Sequence, residues 1–157
     1  MPLRPYRPAQ PPHQFDLVAF DRHDRPVLII EIKRNSDIRD RKQFLSDTIN
    51  YVEASGRPAP FFLIVNEEAI SLYRKDSMSG EWPNVAEFGT GSVLGNYDPE
   101  YGKNPVYEHY LASLIQVWLN DIADNWHSKK PPEADLFQKL GLIDTLREGS
   151  LAVDASL

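Results

Sequence analysis

Apolar and polar positions along this chain follow two different periods, and together they predict a mixed α/β protein. Short runs rich in β-branched and aromatic residues indicate buried strands at 15–20, 27–34, 61–65 and 70–74. The first two runs are joined by the polar link DRHDRP, which predicts a hairpin turn centred on His23-Asp24. The last two are joined by NEEA and form a second predicted hairpin.

Helical spacing appears after the second run and again in the last third of the chain. A helix is predicted over 37–55, with Asn35 or Ser36 as its N-cap and Gly56 as its C-terminal stop. A longer helix is predicted over 105–126, where Pro105 follows Asn104. Its apolar stripe fits core packing or burial against a partner and contains Leu111, Leu114, Ile115, Trp118 and Ile122.

The remaining segments carry weaker signals. Five prolines within residues 1–14 exclude a helix there and leave at most an edge strand. Residues 75–104 have no period and predict a long loop, and the Gly-rich run 89–95 within it shows no strand-to-helix context for nucleotide binding. A short helix is predicted over 132–140, ending at Gly141, and the tail after Arg147 is predicted to fray.

The register of the first hairpin brings three ionisable residues together. If Phe20 faces Val27, then Asp16 faces Glu31, and Lys33 lies on the same side of the sheet because it is two residues further on. Two carboxylates at this distance resist joint ionisation unless a positive charge neutralises them, and Mg²⁺ commonly uses one or two carboxylates in proteins. The sequence therefore predicts a divalent metal site. The alternative is a sheet face bearing an exposed Glu31–Lys33 ion pair.

The pattern Asp…Glu-x-Lys on consecutive strands resembles the PD-(D/E)xK nuclease superfamily. Within it, PVLIIEIKR followed by a helix and FFLIVNEEAISLY is most similar to the nuclease domain of type I restriction enzymes and its stand-alone relatives, over about residues 13–75. The resemblance implies a restriction-endonuclease-like mixed central sheet flanked by helices, with Mg²⁺ (or Mn²⁺) as cofactor and DNA as substrate. By the family pattern Asp16, Glu31 and the Ile32 carbonyl would hold the metal, and Lys33 would act on the attacking water.

Two features depart from the family pattern. Family members usually place a helix before the first strand, and the prolines before Asp16 forbid one here. Either the chain begins inside a longer ancestral domain, or helix 105–126 covers the exposed sheet face, or a homodimer or partner subunit supplies the cover. Many members also carry Gln-x-x-x-Tyr on the following helix, whereas here Asp47 stands four residues before Tyr51 and Gln43 stands a turn earlier. Gln43 and Tyr51 would then orient Lys33 or bind a phosphate, or simply reflect amphipathic patterning.

Charge is unevenly distributed along the chain. The net charge of −6 argues against a generic nucleic-acid binder, but residues 1–43 hold nine Lys/Arg against six Asp/Glu. Four basic residues follow the predicted metal site and are expected to contact backbone phosphates, although a solvated helix start explains them equally: Arg34, Arg39, Arg41 and Lys42. No histidine pair has metal-ligand spacing, and His13 is taken as a surface residue.

Composition sets the remaining bounds. The chain has no Cys, which excludes disulfides and thiolate metal sites. No hydrophobic run approaches membrane-spanning length, and the Pro-rich N-terminus does not resemble a signal peptide, so a cytoplasmic location is the default expectation.

These observations lead to one leading prediction and one alternative. The leading prediction is a Mg²⁺-dependent endonuclease with a nuclease-like core at 1–75, a long loop at 76–104 and C-terminal helices at 105–157 packing on the same domain. The alternative is a catalytically inactive nuclease-like module for nucleic-acid binding or protein assembly, which the acidic C-terminal two-thirds and the missing leading helix favour. A small-molecule hydrolase lacks any nucleophile motif.

Overall fold

A six-stranded mixed sheet forms the centre of the molecule. The structure, a computed structural model, describes residues 13–157. The strands are β1 (Gln14–Phe20), β2 (Pro26–Ile32), β3 (Phe61–Val65), β4 (Ala69–Arg74), β5 (Asn84–Gly89) and β6 (Ser150–Ser156). They lie in the order β5-β4-β3-β2-β1-β6, with β2 and β3 parallel and the other neighbouring pairs antiparallel. The α/β class predicted from the sequence is therefore confirmed.

Helices flank this sheet. They are α1 (Arg41–Ala54), α2 (Thr90–Leu94), α3 (Glu108–Asn125), α4 (Ala134–Lys139) and α5 (Leu142–Glu148), and a single 3₁₀ turn occupies Asn35–Asp37. Because β2 and β3 are parallel, the connection between them must cross from one end of the sheet to the other, and α1 makes that crossing.

Each face of the sheet has its own hydrophobic core. On one face Leu17, Ile30 and Leu63 pack with the apolar stripe of α3 and with α4 and α5. On the other face a smaller core around Ile29 and Phe62 packs beneath α1. All five apolar residues of the stripe predicted for the long helix are buried, so core packing is confirmed for them. Helix α3 thus covers a sheet face, which was one of the routes expected in place of a leading helix.

The first hairpin has the predicted register over most of its length. Leu17 pairs with Ile30 and Ala19 pairs with Leu28, but the register shifts after Ala19. Phe20 therefore pairs with Pro26 and not with Val27 as predicted. The shift lies beside the turn, where the Asp21 carboxylate accepts from two backbone N–H groups and Asp24 takes a left-handed φ of 57°. A shift this close to the turn leaves the register at the other end of the hairpin unchanged.

The start of α1 differs from the prediction. The 3₁₀ turn ends at Asp37, and the α-helix begins only at Arg41, with Asp40 and neither Asn35 nor Ser36 as its N-cap. The Asp40 carboxylate accepts the N–H of Gln43 at 3.1 Å. Asp is as good an N-cap as Asn or Ser, and four such residues within 35–40 cannot be ranked from local pattern alone.

Two segments predicted to be irregular contain regular structure. Residues 75–104 were predicted as a loop, yet they hold β5 and α2. The tail after Arg147 was predicted to fray, yet it forms β6, which pairs with β1 from Gln14↔Ser156 to Phe20↔Ser150. Strands β5 and β6 are the two edge strands and have mixed polarity, so they depend on pairing with a neighbouring strand: β5 pairs with β4, and β6 pairs with β1 from the other end of the chain.

The long helix was expected from Pro105 to Trp126 and is observed from Glu108, with Tyr107 at the N-cap position. The absence of a leading helix, and an edge strand within 1–12, were predictions for residues outside the described part of the chain. Within 13–157, no helix has the length and apolar character needed to cross a membrane.

Candidate functional site

Asp16 and Glu31 meet where β1 begins and β2 ends. The backbone N–H of Asp16 donates to Glu31 Oε1 at 3.2 Å, and the backbone N–H of Ile32 donates to Asp16 Oδ2 at 2.7 Å. Side-chain oxygens thus accept backbone N–H groups across this end of the β1–β2 pair. These two hydrogen bonds hold both carboxylates close to the backbone at this end of the β1–β2 pair.

An irregularity in β1 sets the position of Asp16. Phe15 and Val18 both pack in the core beneath α1, whereas Leu17 and Ala19 pack in the core beneath α3. Strict alternation would place Phe15 and Val18 on opposite faces, so alternation is interrupted between them, at Asp16. On the neighbouring strand β6, Asp154 takes a left-handed φ of 52° between the partners of Phe15 and Leu17.

His13 lies beside these carboxylates and is not the surface residue that the sequence suggested. Its Nε2 is 3.3 Å from Glu31 Oε2, and its ring stacks on Tyr51 of α1 with centroids 4.0 Å apart. Phe15 meets the same ring edge-on. The imidazole is therefore clamped between β1 and α1 and holds the second oxygen of Glu31.

Lys33 lies just past the end of β2. Its backbone N–H donates to Val65 O at 2.9 Å, which continues the pairing with β3. Its Nζ lies 5.6 Å from the centroid of the Phe44 ring on α1. Burial raises the pKa of Glu31, and the Lys33 charge partly offsets that effect, so the ammonium acts on the carboxylate. The structure brings Asp16, Glu31 and Lys33 to one end of the sheet.

The site is short of positive charge. Burial, followed by repulsion from Asp16, raises the pKa of Glu31 to about 8. Burial also raises the pKa of Asp16, and Glu108 and Asp154 raise it further by repulsion. Burial lowers the pKa of His13, so near neutral pH the His13–Glu31 contact at 3.3 Å is a hydrogen bond between neutral groups. A protonated carboxyl near neutral pH marks a place where a cation would be favoured.

The donor set fits a hard divalent cation in kind. Asp16 has Oδ1 outside the Ile32 contact, and an ionised carboxylate offers about four lone-pair sites, so the Glu31 oxygens can accept more than their present partners. In number the set is small: among residues 13–157, no three His, Asp or Glu side chains are arranged to hold a metal ion. Two carboxylates are enough for Mg²⁺, because Mg²⁺ keeps several of its water ligands. They are too few for a cation that takes all of its ligands from the protein.

Of the four basic residues predicted to contact phosphates, Arg34 has a different environment from the other three. The Arg34 guanidinium lies over the Tyr107 ring at 5.3 Å, and its Nε is buried with no hydrogen-bond partner among the described residues. Arg41 donates to Asn35 Oδ1 at 3.3 Å. Arg39 and Lys42 are exposed, as Arg41 is. They form a basic margin along the start of α1.

The predicted supporting pair on α1 is not assembled around Lys33. Gln43 donates to Asp47 Oδ1 at 2.8 Å, one turn along the helix. Tyr51 contacts the site only through the His13 ring on which it stacks. Any support that Tyr51 gives is therefore to Glu31 through His13, and the side chain of α1 that lies near Lys33 Nζ is Phe44.

Sequence reasoning missed three neighbours of the site. His13 stands near β1 and was set aside because no second histidine has ligand spacing. Glu108 opens α3 and Asp154 lies in β6, and both act on Asp16 electrostatically from more than ninety residues away. An acidic residue is common in the first turn of a helix because it interacts favourably with the helix dipole. The position of Glu108 therefore gave no indication that it lies near the candidate site.

No protein-family model matches this chain, and neither the curated proteins nor the solved structures include a significant match. What the molecule shows by itself is an α/β protein with a mixed sheet, two carboxylates, a lysine and an imidazole at one end of that sheet, and exposed basic residues at the start of α1.

Proposed function

We propose that this protein is a Mg²⁺-dependent endonuclease that hydrolyses DNA phosphodiester bonds at the Asp16–Glu31–Lys33 site, on a restriction-endonuclease-like sheet. The observation that supports this proposal most is the pair of partly buried carboxylates on adjacent strands, each with a raised pKa caused first by burial, beside a lysine. Burying two acids together costs free energy, which a bound cation would recover.

Each residue has a separate role in this proposal. Asp16 and Glu31 hold the cation, with the Ile32 carbonyl as a further donor. When bound, Mg²⁺ polarises the phosphoryl oxygen and makes a water a better nucleophile. Lys33 positions the attacking water and offsets the charge that develops on phosphorus. Arg34, Arg39, Arg41 and Lys42 bind flanking phosphates, and His13 keeps the Glu31 carboxylate in place.

Plasmid cleavage tests this function. With Mg²⁺ or Mn²⁺, the wild-type protein should nick or linearise DNA, and Asp16→Asn, Glu31→Gln and Lys33→Met should each lower the rate at least about 100-fold, as loss of one charge-stabilising group does. Asp135→Asn and Lys139→Gln, both exposed on α4, are matched controls that should cleave normally. Cleavage that survives Lys33→Met would rule out this site.

One observation favours a second candidate, a catalytically inactive nuclease-like module. Both Glu31 oxygens already have partners, and no three metal-binding side chains come together within residues 13–157. Such a module would bind nucleic acid or a protein partner without a cation. Calorimetry separates the two: heat of Mg²⁺ binding that disappears in Asp16→Asn supports the enzyme, and its absence in the wild type supports the module.

A further inference from the structure

A cleft of about 260 Å³ opens on the face of the sheet that carries α1, next to the candidate site. We call it the α1 cleft, and its defining residues are Arg41, Lys42, Phe44, Ile64, Ser71 and Glu87. The first turn of α1 contributes Arg41, Lys42 and Phe44 to the cleft, and strands β3, β4 and β5 contribute Ile64, Ser71 and Glu87.

A continuous row of side chains joins the cleft floor to the site. Glu31 pairs with Ile64, Ile64 pairs with Ser71, and Ser71 pairs with Glu87 across four strands. Paired residues in neighbouring strands lie side by side on one face, and strands are about 4.8 Å apart, so the row spans roughly 14 Å. The candidate metal ligand Glu31 is therefore one strand away from the cleft floor.

The lysine of the proposed function has a neighbour in common with this cleft. Phe44 forms part of the cleft wall, and Lys33 Nζ lies 5.6 Å from its ring centroid. This shared contact and the pairing of Glu31 with Ile64 place the cleft close to the candidate site.

The cleft walls carry opposite charges. Arg41 and Lys42 form the wall on the α1 side, and Glu87 on β5 forms the far wall. The floor between them is apolar at Ile64, and Tyr73 adds an aromatic ring that is stacked on Phe62. A ligand that is anionic at one end, flat and apolar in the middle, and a hydrogen-bond donor at the other end matches this arrangement.

We propose that the α1 cleft binds one unpaired nucleotide of the DNA substrate, next to the phosphate that is cleaved. This inference rests on the proposed function and names its substrate class. Arg41 and Lys42 hold the phosphate of that nucleotide, and its base lies over Ile64 beside Tyr73. Glu87 accepts a hydrogen bond from an exocyclic amino group, which adenine and cytosine have and thymine lacks. At about 260 Å³ the cleft is smaller than the 300–1,000 Å³ usual for larger ligands, so its size matches a single base better than a base pair.

Binding measured in EDTA tests the cleft without any cleavage. The probe is a DNA duplex that carries one unpaired 2-aminopurine, compared with the fully paired duplex of the same sequence. The wild-type protein should bind the unpaired form at least tenfold more tightly, and the 2-aminopurine fluorescence should change on binding. Ser71→Leu fills the cleft and should abolish that preference, whereas Ser71→Ala leaves the cleft open and should retain it.

Glu87→Gln provides an isosteric second variant. It should reduce the preference for an unpaired adenine or cytosine over an unpaired thymine, because an amide offers one acceptor where a carboxylate offers two. Lys139→Gln on the opposite side of the sheet should bind every probe like the wild type. A tenfold preference that persists in folded Ser71→Leu would overturn the inference.

The remaining outcomes separate this inference from the proposed function. A wild-type protein that prefers the unpaired probe but never cleaves DNA with any divalent cation supports the cleft and refutes the nuclease. A wild-type protein that cleaves but binds paired and unpaired probes equally refutes the cleft alone. Free 2′-deoxycytidine monophosphate that binds as tightly as the unpaired duplex would overturn the assignment to a DNA strand in favour of a free nucleotide.

Discussion

Glu31 is an acidic residue whose burial opposes its ionisation. It is an acid with only 13% of its side chain exposed, and burial and Asp16 raise its pKa from 4.5 to about 8. A carboxyl whose pKa is higher in the folded than in the unfolded state stabilises the fold below the unfolded value. That stabilisation is lost as pH rises through the folded value.

Glu31→Gln should therefore stabilise the protein in alkaline solution. The amide keeps the shape of the acid and cannot ionise, so at pH 9 we expect a gain of at least about 2 kcal/mol, since each pKa unit corresponds to about 1.4 kcal/mol. At pH 5, where the acid is protonated in the folded state, the gain should largely vanish. Thermal melts at both pH values measure this, with exposed Glu68→Gln as control. An equal shift at both pH values would contradict the titration.

The proton that Glu31 holds near neutral pH should also make cation binding depend on pH. A cation that binds Glu31 must displace its proton below about pH 8, because burial raises the pKa of this group. The apparent Mg²⁺ affinity should therefore rise up to about tenfold per pH unit from pH 6 to pH 8 and then level off. Calorimetry in buffers of different ionisation enthalpy would measure the released proton. Affinity that does not change between pH 6 and pH 9 would exclude Glu31 as a ligand.

At the scale of elements, the start of α1 depends on a single cap. Asp40→Ala removes the bond from the Asp40 carboxylate to Gln43 N–H and should cost about 1 kcal/mol of unfolding free energy. Asp37→Ala, in the 3₁₀ turn just before, is the matched control and should change stability by less than about 0.5 kcal/mol. Urea denaturation distinguishes them. Equal effects would place the helix start at the earlier position predicted from the sequence.

The connection from α5 to β6 leaves no room for a side chain. A Cβ at Gly149 would lie 1.7 Å from the carbonyl oxygen of Phe20, so Gly149→Ala must displace β6 from β1. We expect a loss of about 3 kcal/mol, at the upper end for overpacking. Gly56→Ala, where a Cβ meets nothing within 4 Å, is the control and should be nearly neutral. Denaturation and hydrogen exchange in β6 measure the two effects, and a neutral Gly149→Ala would show that β6 is not docked on β1.

At the scale of the whole molecule, the protein is acidic with a small basic margin. A net charge of −6 makes unspecific attraction to DNA weak, so the proposed DNA binding would depend on Arg34 and the basic residues at the start of α1. We expect four basic residues each to neutralise one phosphate: Arg34, Arg39, Arg41 and Lys42. A plot of the logarithm of the duplex association constant against the logarithm of the salt concentration should then have a slope of about −3.6. Fluorescence titrations at several salt concentrations measure it. Arg39→Gln should reduce the slope by about 0.9, and a slope that remains the same would remove Arg39 from the interface.

Local pattern was enough for the centre of the fold. Strand β3 was predicted with its observed bounds, and the β1–β2 register was predicted over Leu17–Ala19, because alternation and β-branched runs are properties of a few adjacent residues. The proximity of Asp16, Glu31 and Lys33 followed from that register. The spacing that suggested a metal site was thus readable without any tertiary information.

Other features required contacts that local pattern does not contain. Strand β6 pairs with β1 from the other end of the chain, and β5 pairs with the edge of β4, and neither has the apolar run that marked the central strands. The interruption of alternation at Asp16 lies opposite Asp154 of β6, which has a left-handed φ, and Glu108 reaches the site through the packing of α3 on the sheet. His13 was visible in the sequence, but its contact with Glu31 depends on the ring of Tyr51 from α1.

The sequence by itself determined which residues are chemically able to form a site and which strands carry them, since both depend on neighbours in the chain. Only the tertiary structure decided how strongly that site is charged, what holds Glu31, and that a cleft opens one strand away. Those properties arise from burial and from the approach of segments that are distant in sequence. The spacing of apolar and polar residues within one segment contains information about neither.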